Sequence, residues 1–359
     1  MQNYSRPRVY KFTCKFVIRH LRFVINLHYS VHKIPFKEQI AEDMISYRNE
    51  KISNACKMHR KEKKMKKSRR KKKEAWENFL YTIPALILVG MMMYIPFVMS
   101  GYYSLTRWNG IAKTPAFIGF ENFKTIFTGG SDFLPALWFT VKYTALFMIF
   151  SNILALALAV VLTKKFKLAN LFRGIFFVPY IMSMTIVGFI WKFIFTSGFK
   201  ALYQATGWEF WNASWLGDPN LVFYSIVLVG AWQSLGFYIV LYIAGLQAVP
   251  TDVIEAAYVD GANKRQTFFK VTLPLLGPSM TTCVFMSLTN GLKVFDIILA
   301  LTKGGPGKAS YSATLQIYNE AFTNNNYGLG SAQAILYFLF VLIVTQVVLK
   351  AMSRREVDL

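Results

Sequence analysis

The stretch that decides the fold is residues 221–246, which read LVFYSIVLVGAWQSLGFYIVLYIAGL and contain no charged side chain. The hydrocarbon core of a bilayer is about 30 Å thick, so about 20 consecutive apolar residues in a helix cross it. Five further runs of this kind lie on either side. Together the six runs predict an all-α integral membrane protein with six transmembrane helices. The other five are residues 79–105, 136–162, 171–195, 276–301 and 332–352.

The composition of the 359-residue chain also excludes an ordinary soluble protein. Hydrophobic residues make up 54% and charged residues only 16%, whereas soluble domains carry about 25% charged residues. The formal net charge is nevertheless +23, and most of the excess of basic over acidic residues lies near the N-terminus. Residues 1–64 hold 15 Lys and Arg against 5 Asp and Glu, and seven more basic residues lie within 66–73.

Two interpretations of the basic N-terminal extension, residues 1–64, stay open. It contains neither a long apolar run nor a signal-peptide pattern. It is therefore either a soluble or membrane-surface extension, or a segment that precedes a true translation start at Met65 and is not part of the mature protein. The second interpretation is favoured, because the residues from Met65 onward, MKKSRR, are a common beginning for a bacterial membrane protein.

The distribution of histidine argues against an enzyme. All four histidines lie before residue 65, and the six apolar runs and their loops have none. Such a segment cannot supply a His general base, a Ser-His-Asp triad or an ordinary zinc site. We therefore expect no catalytic residue, bound cofactor or metal in this chain.

Basic residues in the short loops predict the orientation in the membrane, because Lys and Arg favour the cytoplasmic side. They place both termini on the cytoplasmic side of a bacterial cytoplasmic membrane. The position of the run 66–73 beside a span explains its charge by membrane anchoring, so no nucleic acid partner is expected. The residues that set the bias are the run 66–73, Lys164, Lys165, Lys167, Arg354 and Arg355.

The same reasoning divides the chain into segments. A cytoplasmic lead-in covers residues 65–78, and the first helix with its external loop covers 79–135. A core of five helices follows at 136–352, and residues 353–359 form a cytoplasmic tail.

A long cytoplasmic loop between the fourth and fifth spans, residues 249–274, reads VPTDVIEAAYVDGANKRQTFFKVTLP. Pro250 and Thr251 favour a helix start, and Gly261 permits a turn with positive φ. A second helix is predicted from about residue 263. Leu273 and Pro274 are expected to end it where the chain re-enters the membrane.

This loop resembles the EAA loop of ABC-importer permeases, in the order and spacing of its residues. The matching residues are Glu255, Ala256, Ala257, Asp260, Gly261, Leu273 and Pro274. The resemblance implies a type I ABC-importer transmembrane domain. In that family the loop forms coupling helices that dock into a groove on an ATPase subunit.

Three further segments resemble carbohydrate-uptake permeases related to the maltose and glycerol-phosphate systems. They are WLGDPN at 215–220, TKGGPG at 302–307 and IGFENF at 118–123. The order of elements resembles the maltose F-type member. The resemblance implies import of a di- or oligosaccharide by ATP-driven alternating access.

The resemblance also implies a set of partners. They are a second permease subunit, two cytoplasmic ATPase subunits, an external solute-binding protein, the sugar and the lipid bilayer. ATP and Mg are expected on the partner ATPase and not on this chain. The glycine-rich residues 304–308 fail the phosphate-loop pattern, because Ala309 stands where Ser or Thr is required.

Polar residues within the spans are candidates for the sugar pathway, because polar groups in a membrane are costly and often functional. Thr289, Lys293 and Asp296 have helical offsets of 0, 4 and 7, which predicts one shared face. The full candidate set is Trp232, Gln233, Thr289, Asn290, Lys293 and Asp296. The alternative is interhelical hydrogen bonding, with Lys293 and Asp296 forming an ion pair.

A self-contained secondary transporter of a small polar solute remains the alternative function. Such proteins often contain inverted repeats, and no convincing repeat is seen in this sequence. Copurification of an ATPase distinguishes the two functions.

Overall fold

A computed structural model describes residues 38–164 and 167–354 of the chain. The predictions for residues 1–37, for Lys165 and for Arg355 therefore lie outside the described residues. The chain divides into two units at residue 89. Within the first unit, the described part is a single helix of 52 residues, α1 (Glu38–Val89).

The second unit is built almost entirely from helices, and a two-stranded antiparallel pair is its one sheet among the described residues. Strand β1 (Thr106–Arg107) pairs with β2 (Ala116–Phe117). The helices are α2 (Ile95–Ser104), α3 (Glu121–Phe127), α4 (Phe133–Leu162), α5 (Ala169–Ile181), α6 (Met184–Phe193), α7 (Phe199–Thr206), α8 (Glu209–Asn212), α9 (Leu221–Ala248), α10 (Thr251–Val259), α11 (Lys264–Thr267), α12 (Leu273–Leu275), α13 (Gly277–Leu292), α14 (Asp296–Leu301), α15 (Ala313–Tyr318) and α16 (Tyr327–Ser353). Four π-helical turns interrupt them at Gly90–Tyr94, Ile194–Gly198, Phe268–Thr272 and Asn319–Thr323.

The all-α membrane fold expected from the sequence is confirmed. Over the described residues, five helices are long and apolar enough to cross a membrane, and a bent pair makes a sixth. The five are Lys73–Ser104, Phe133–Leu162, Met184–Thr206, Leu221–Ala248 and Tyr327–Ser353. The bent pair is Lys264–Leu275 with Gly277–Leu292, at 68° to each other.

The prediction of one continuous third span over residues 171–195 is wrong. Helix α5 ends at Ile181, and Met182 and Ser183 take extended ψ angles of 142° and 135° before α6 begins. The break follows Pro179, whose ring removes a backbone donor from the last turn of α5. The apolar helix of spanning length lies further along the chain, at Met184–Thr206.

The predicted fifth span, residues 276–301, is also interrupted. Helix α13 ends at Leu292, and Phe295 has a non-helical φ of −143° before α14 starts. The carbonyl of Val294 accepts hydrogen bonds from the hydroxyls of Ser312 and Thr314, at 2.9 and 2.6 Å. These side chains satisfy a backbone group that a continuous helix would have paired internally, so the break carries no unsatisfied carbonyl at Val294.

Helix α9 forms the centre of the core. Ile226, Tyr238, Ile239 and Tyr242 on this helix are almost completely buried. α9 packs against α4, α5 and α13. At Gly236 the backbones come so close that a Cβ would lie 2.1 Å from the carbonyl oxygen of Phe176. A small residue is what allows α9 and α5 to approach at this point.

Helices α4 and α9 run in the same direction. Phe139 contacts Phe223 near the start of both helices, with ring centroids 5.6 Å apart. Further along, the hydroxyl of Tyr242 donates to Oδ1 of Asn152 at 2.8 Å. The start of α4 therefore lies at the end of the bundle opposite to α10, which follows the last residue of α9. We refer to these as the far end and the α10 end.

Candidate coupling helix and transport pathway

The short helix α10 contains the EAA residues and has a sharply defined C-terminus. Gly261 has a φ of +83°, as the sequence predicts. The amide of Gly261 donates to the carbonyl of Tyr258, and the amide of Ala262 donates to that of Ala257, both at 3.0 Å. These two bonds form a Schellman motif, which satisfies carbonyls that a helix end otherwise leaves unpaired.

The turn after Gly261 leads directly into a capping box. The Asn263 side chain accepts from the backbone amide of Gln266, and the Gln266 side chain accepts from that of Asn263, both at 2.9 Å. This arrangement satisfies two free amides at the start of α11. We did not predict it, although Asn followed three residues later by Gln was a readable signal. Together the Schellman motif and the capping box fix the conformation of the turn that joins α10 to α11.

The surface of α10 is largely open. Glu255 and Ala256 are exposed, whereas Ala257 is buried, and α10 packs against the π turn Phe268–Thr272. Val259 is 87% exposed and Tyr258 is 47% exposed. Exposed apolar side chains clustered on one short helix are typical of a protein interaction surface.

The second helix of the loop ends at Leu275, one residue after the predicted end at Leu273 and Pro274. The chain continues through α12, and the 68° bend falls at Leu276, which is buried. The reason is Pro278, in the first turn of α13. A proline ring clashes with the carbonyl four residues earlier, so a straight helix through this position is excluded.

Trp232 and Gln233, which we predicted to contact the sugar, have different surroundings in α9. Gln233 is 7% exposed, and its amide donates to the carbonyl of Tyr180 at 3.3 Å. Trp232 is 36% exposed and meets Trp191 edge to face, with centroids 5.5 Å apart. Gln233 therefore joins α9 to α5, and Trp232 is the more accessible of the two.

Thr289 and Asn290 in α13 are also bonded within the protein. The Thr289 hydroxyl donates to the carbonyls of Phe285 and Met286, each at 3.0 Å. The Asn290 amide donates to the hydroxyl of Tyr238 at 3.2 Å. Asn290 is nevertheless exposed, and its side-chain carbonyl remains an available acceptor.

The prediction that Thr289, Lys293 and Asp296 share one helical face is wrong. Helix α13 ends before Lys293, and the backbone changes direction at Phe295, so helical offsets do not extend to Asp296. Lys293 and Asp296 are both exposed. They do not form an ion pair with each other in the described part of the chain.

The family of this chain is identified by comparison of its sequence with known families. Residues 151–357 match the family of binding-protein-dependent transport system inner membrane components. The chain belongs to this family. It is a transport subunit rather than an enzyme, and a multi-pass protein of the cytoplasmic membrane that serves a system dependent on a binding protein.

Similar proteins extend over most of the chain. The probable starch degradation products transport system permease protein AmyD of Thermoanaerobacterium thermosulfurigenes is 37% identical, over 78% of this chain and 95% of AmyD. The multiple sugar-binding transport system permease protein MsmF of Streptococcus mutans is 36% identical over 77% and 95%. The trehalose/maltose transport system permease protein MalF of Thermococcus litoralis is 32% identical over 79% and 96%.

A solved structure supports the same fold. The chain is similar to one from a bacterial ABC transporter involved in the import of the acidic polysaccharide alginate, with a TM-score of 0.67 and 20% identity. The match covers 79% of this chain and 96% of that one. It supports the type I ABC-importer arrangement of helices expected from the sequence.

Proposed function

We propose that this chain is one of two permease subunits of an ABC importer that moves a di- or oligosaccharide into the cell. A second permease, two ATPase subunits that bind ATP and Mg, and a solute-binding protein complete the transporter. The observation that carries this proposal is α10, a rigidly capped helix that presents Glu255 and an open apolar surface at one end of the bundle. Such a helix suits docking into a groove on an ATPase.

The coupling acts through the connections of α10 to the membrane helices. α10 follows α9 directly, and through α11 and α12 it leads to the bend at Leu276 and then to α13. Movement of the docked helix therefore changes the tilt of α13 against α9. Alternating access follows if the ATP-bound and ADP-bound ATPase favour different tilts, because only differential affinity shifts a conformational equilibrium.

The class of substrate is supported by the relatives and by the aromatic side chains of the core. Three similar permeases carry names that refer to starch products, multiple sugars or trehalose and maltose. Sugar rings stack on aromatic faces and bond to amides and hydroxyls. Trp232 and Asn290 offer both kinds of group on facing helices α9 and α13, and Lys293 and Asp296 are exposed beside the end of α13.

The orientation belongs to the same proposal. The α10 end faces the cytoplasm, and both termini are cytoplasmic. Lys164 and Arg354 follow the C-terminal ends of α4 and α16 respectively, where the positive-inside tendency places basic residues.

Uptake by membrane vesicles tests this function. Vesicles that contain the whole transporter are loaded with ATP and supplied with the binding protein and labelled maltooligosaccharides. We expect uptake that requires both ATP and the binding protein and that survives an ionophore. Uptake that needs neither, and that collapses when the ion gradient is removed, would identify a secondary transporter instead.

A further inference from the structure

A groove of about 180 Å³ lies at the far end of the bundle, between the first turns of α4 and the loop that precedes α15. Its walls combine apolar and charged side chains. Trp138 and Lys142 lie on α4, Lys308 and Tyr311 on the loop, and Asp132 at the N-cap of α4. The proposed transport function does not use this groove.

The charges of the groove leave one cation free. The Lys308 amine pairs with the Asp132 carboxylate, which raises the pKa of that amine. Lys142 stands 6.0 Å above the ring of Trp138, and no carboxylate in the described chain lies within ion-pair distance of it. Asp132 is the one acidic residue among the described residues that line the groove. The groove therefore carries a net positive charge and complements an anion.

Lys142 also stands at one end of an apolar stripe that stays exposed among the described residues. Ala145, Ile149 and Ile153 follow it at helical spacing on the same face of α4. Trp138, Ile149 and Ile153 are 62%, 53% and 66% exposed. A ligand with a charged head and long apolar tails fits a groove of this kind better than a soluble anion does.

The depth of Lys142 agrees with a ligand from the membrane. It lies nine residues beyond Phe133, the first residue of α4, which is about 13 Å along a helix. A lysine at this depth directs its amine toward the headgroup level. Here Lys142 lines the groove, and its amine lies 6.0 Å from the centroid of the Trp138 ring, which also lines it.

We propose that this groove binds the phosphodiester headgroup of an anionic phospholipid of the phosphatidylglycerol class. Lys142 contacts the phosphate, Lys308 and Tyr311 border the headgroup, and an acyl chain follows the stripe from Ala145 to Ile153. The lipid site requires only that the chain lies in a membrane. It can therefore be confirmed or refuted independently of the proposed sugar transport.

Native mass spectrometry of the full-length chain, purified with its partner subunits and delipidated, tests the proposal. Dioleoyl phosphatidylglycerol and dioleoyl phosphatidylcholine are titrated in parallel, and inorganic phosphate is added as a competitor. We expect phosphatidylglycerol to be retained in preference and millimolar phosphate not to displace it. Displacement by phosphate would overturn the lipid assignment in favour of a soluble anion.

Four variants locate the site. Lys142→Gln should lower phosphatidylglycerol retention about fivefold, the equivalent of the roughly 1 kcal/mol that one lysine contributes near an anionic surface. Lys142→Arg should keep retention, and so should Lys192→Gln, which removes an exposed lysine from α6. Asp132→Asn should increase it, because it frees Lys308. Equal retention by Lys142→Gln and wild type, or no gain in Asp132→Asn, would refute the site.

Discussion

The hydroxyl of Tyr242 donates to Oδ1 of Asn152 at 2.8 Å, and the Asn152 amide donates in turn to the Ser287 hydroxyl at 2.8 Å. One side chain of α4 thus joins α9 and α13 within the core. Asn152 and Ser287 are 135 residues apart in sequence. This polar junction links α4 to α9 and α13, the two helices that the loop 249–274 connects.

Replacing Asn152 by Ala should destabilise the protein by about 1–3 kcal/mol, because the buried Tyr242 hydroxyl loses its acceptor. The measurement is thermal melting in detergent, followed by size-exclusion chromatography. Asn170→Ala is the matched control, since Asn170 is exposed and its side chain accepts only a surface bond from Arg173 among the described residues. Adding Tyr242→Phe to Asn152→Ala should cost less than the sum of the two single changes. Strict additivity would show that the junction is not a unit.

The close approach at Gly236 gives a second prediction. Gly236→Ala places a Cβ 2.1 Å from the Phe176 carbonyl oxygen, so α9 and α5 must separate. Overpacking of this kind costs about 1–3 kcal/mol. Gly174→Ala on α5 is the control, because its Cβ meets nothing within 4 Å. We expect a lower melting temperature for Gly236→Ala alone, and equal melting of both variants would contradict the packing argument.

Gly261 tests the geometry of the turn between α10 and α11, which we call the coupling turn. A Cβ there meets no other atom, so only the φ of +83° resists substitution. Gly261→Val should cost roughly 1–2 kcal/mol in this conformation, and Gly261→Pro should abolish uptake, since it also removes the bond to Tyr258. Gly261→Asn, which tolerates positive φ, should retain most uptake. All variants should insert normally, and full uptake by Gly261→Pro would exclude a coupling role.

Glu255 tests the docking surface itself. Glu255 is exposed and its replacement leaves no cavity, so Glu255→Lys should leave the melting temperature unchanged. We expect the ATPase subunits to be lost on copurification and uptake to be abolished. Lys200→Glu, a charge reversal on the exposed surface of α7, is the control and should retain both. ATPase retention in Glu255→Lys with normal uptake would place the docking surface elsewhere.

Trp232 tests the proposed pathway. Trp232→Ala removes an accessible ring and should raise the sugar concentration needed for half-maximal uptake, with ATPase association unchanged. Trp232→Phe keeps an aromatic face and should restore most of the affinity. Trp76→Ala, which removes an exposed tryptophan in α1, is the control. An unchanged concentration dependence in Trp232→Ala would remove this residue from the pathway.

The sequence predicted most of the architecture but not the two helix breaks. Apolar length determined the spans, because a bilayer requires about 20 apolar residues whatever their partners. The break at Met182 follows Pro179, which membrane helices often tolerate, so its presence alone did not predict a break. The break at Lys293 depends on distant groups. Val294 is held by hydroxyls of Ser312 and Thr314, about 20 residues further along, and no local pattern contains that information.

The candidate functional residues also divide into those that local sequence predicts and those that depend on the tertiary structure. Gly261 was predictable because the need for a positive φ is local. Lys293 and Asp296 were assigned to one face by extending a helix that in fact ends at Leu292. Gln233 and Asn290 were chosen as polar residues in spans, and both prove to bond neighbouring helices, which is the alternative that the sequence left open.

The coupling turn has a consequence for exchange between transporters. The Schellman motif and the capping box that shape it use only residues within 257–266. Since this shape owes little to the membrane helices, the segment can be transplanted into another permease as a cassette. The recipient's preference among ATPases should then follow the donor of the cassette, while its choice of sugar stays with the host.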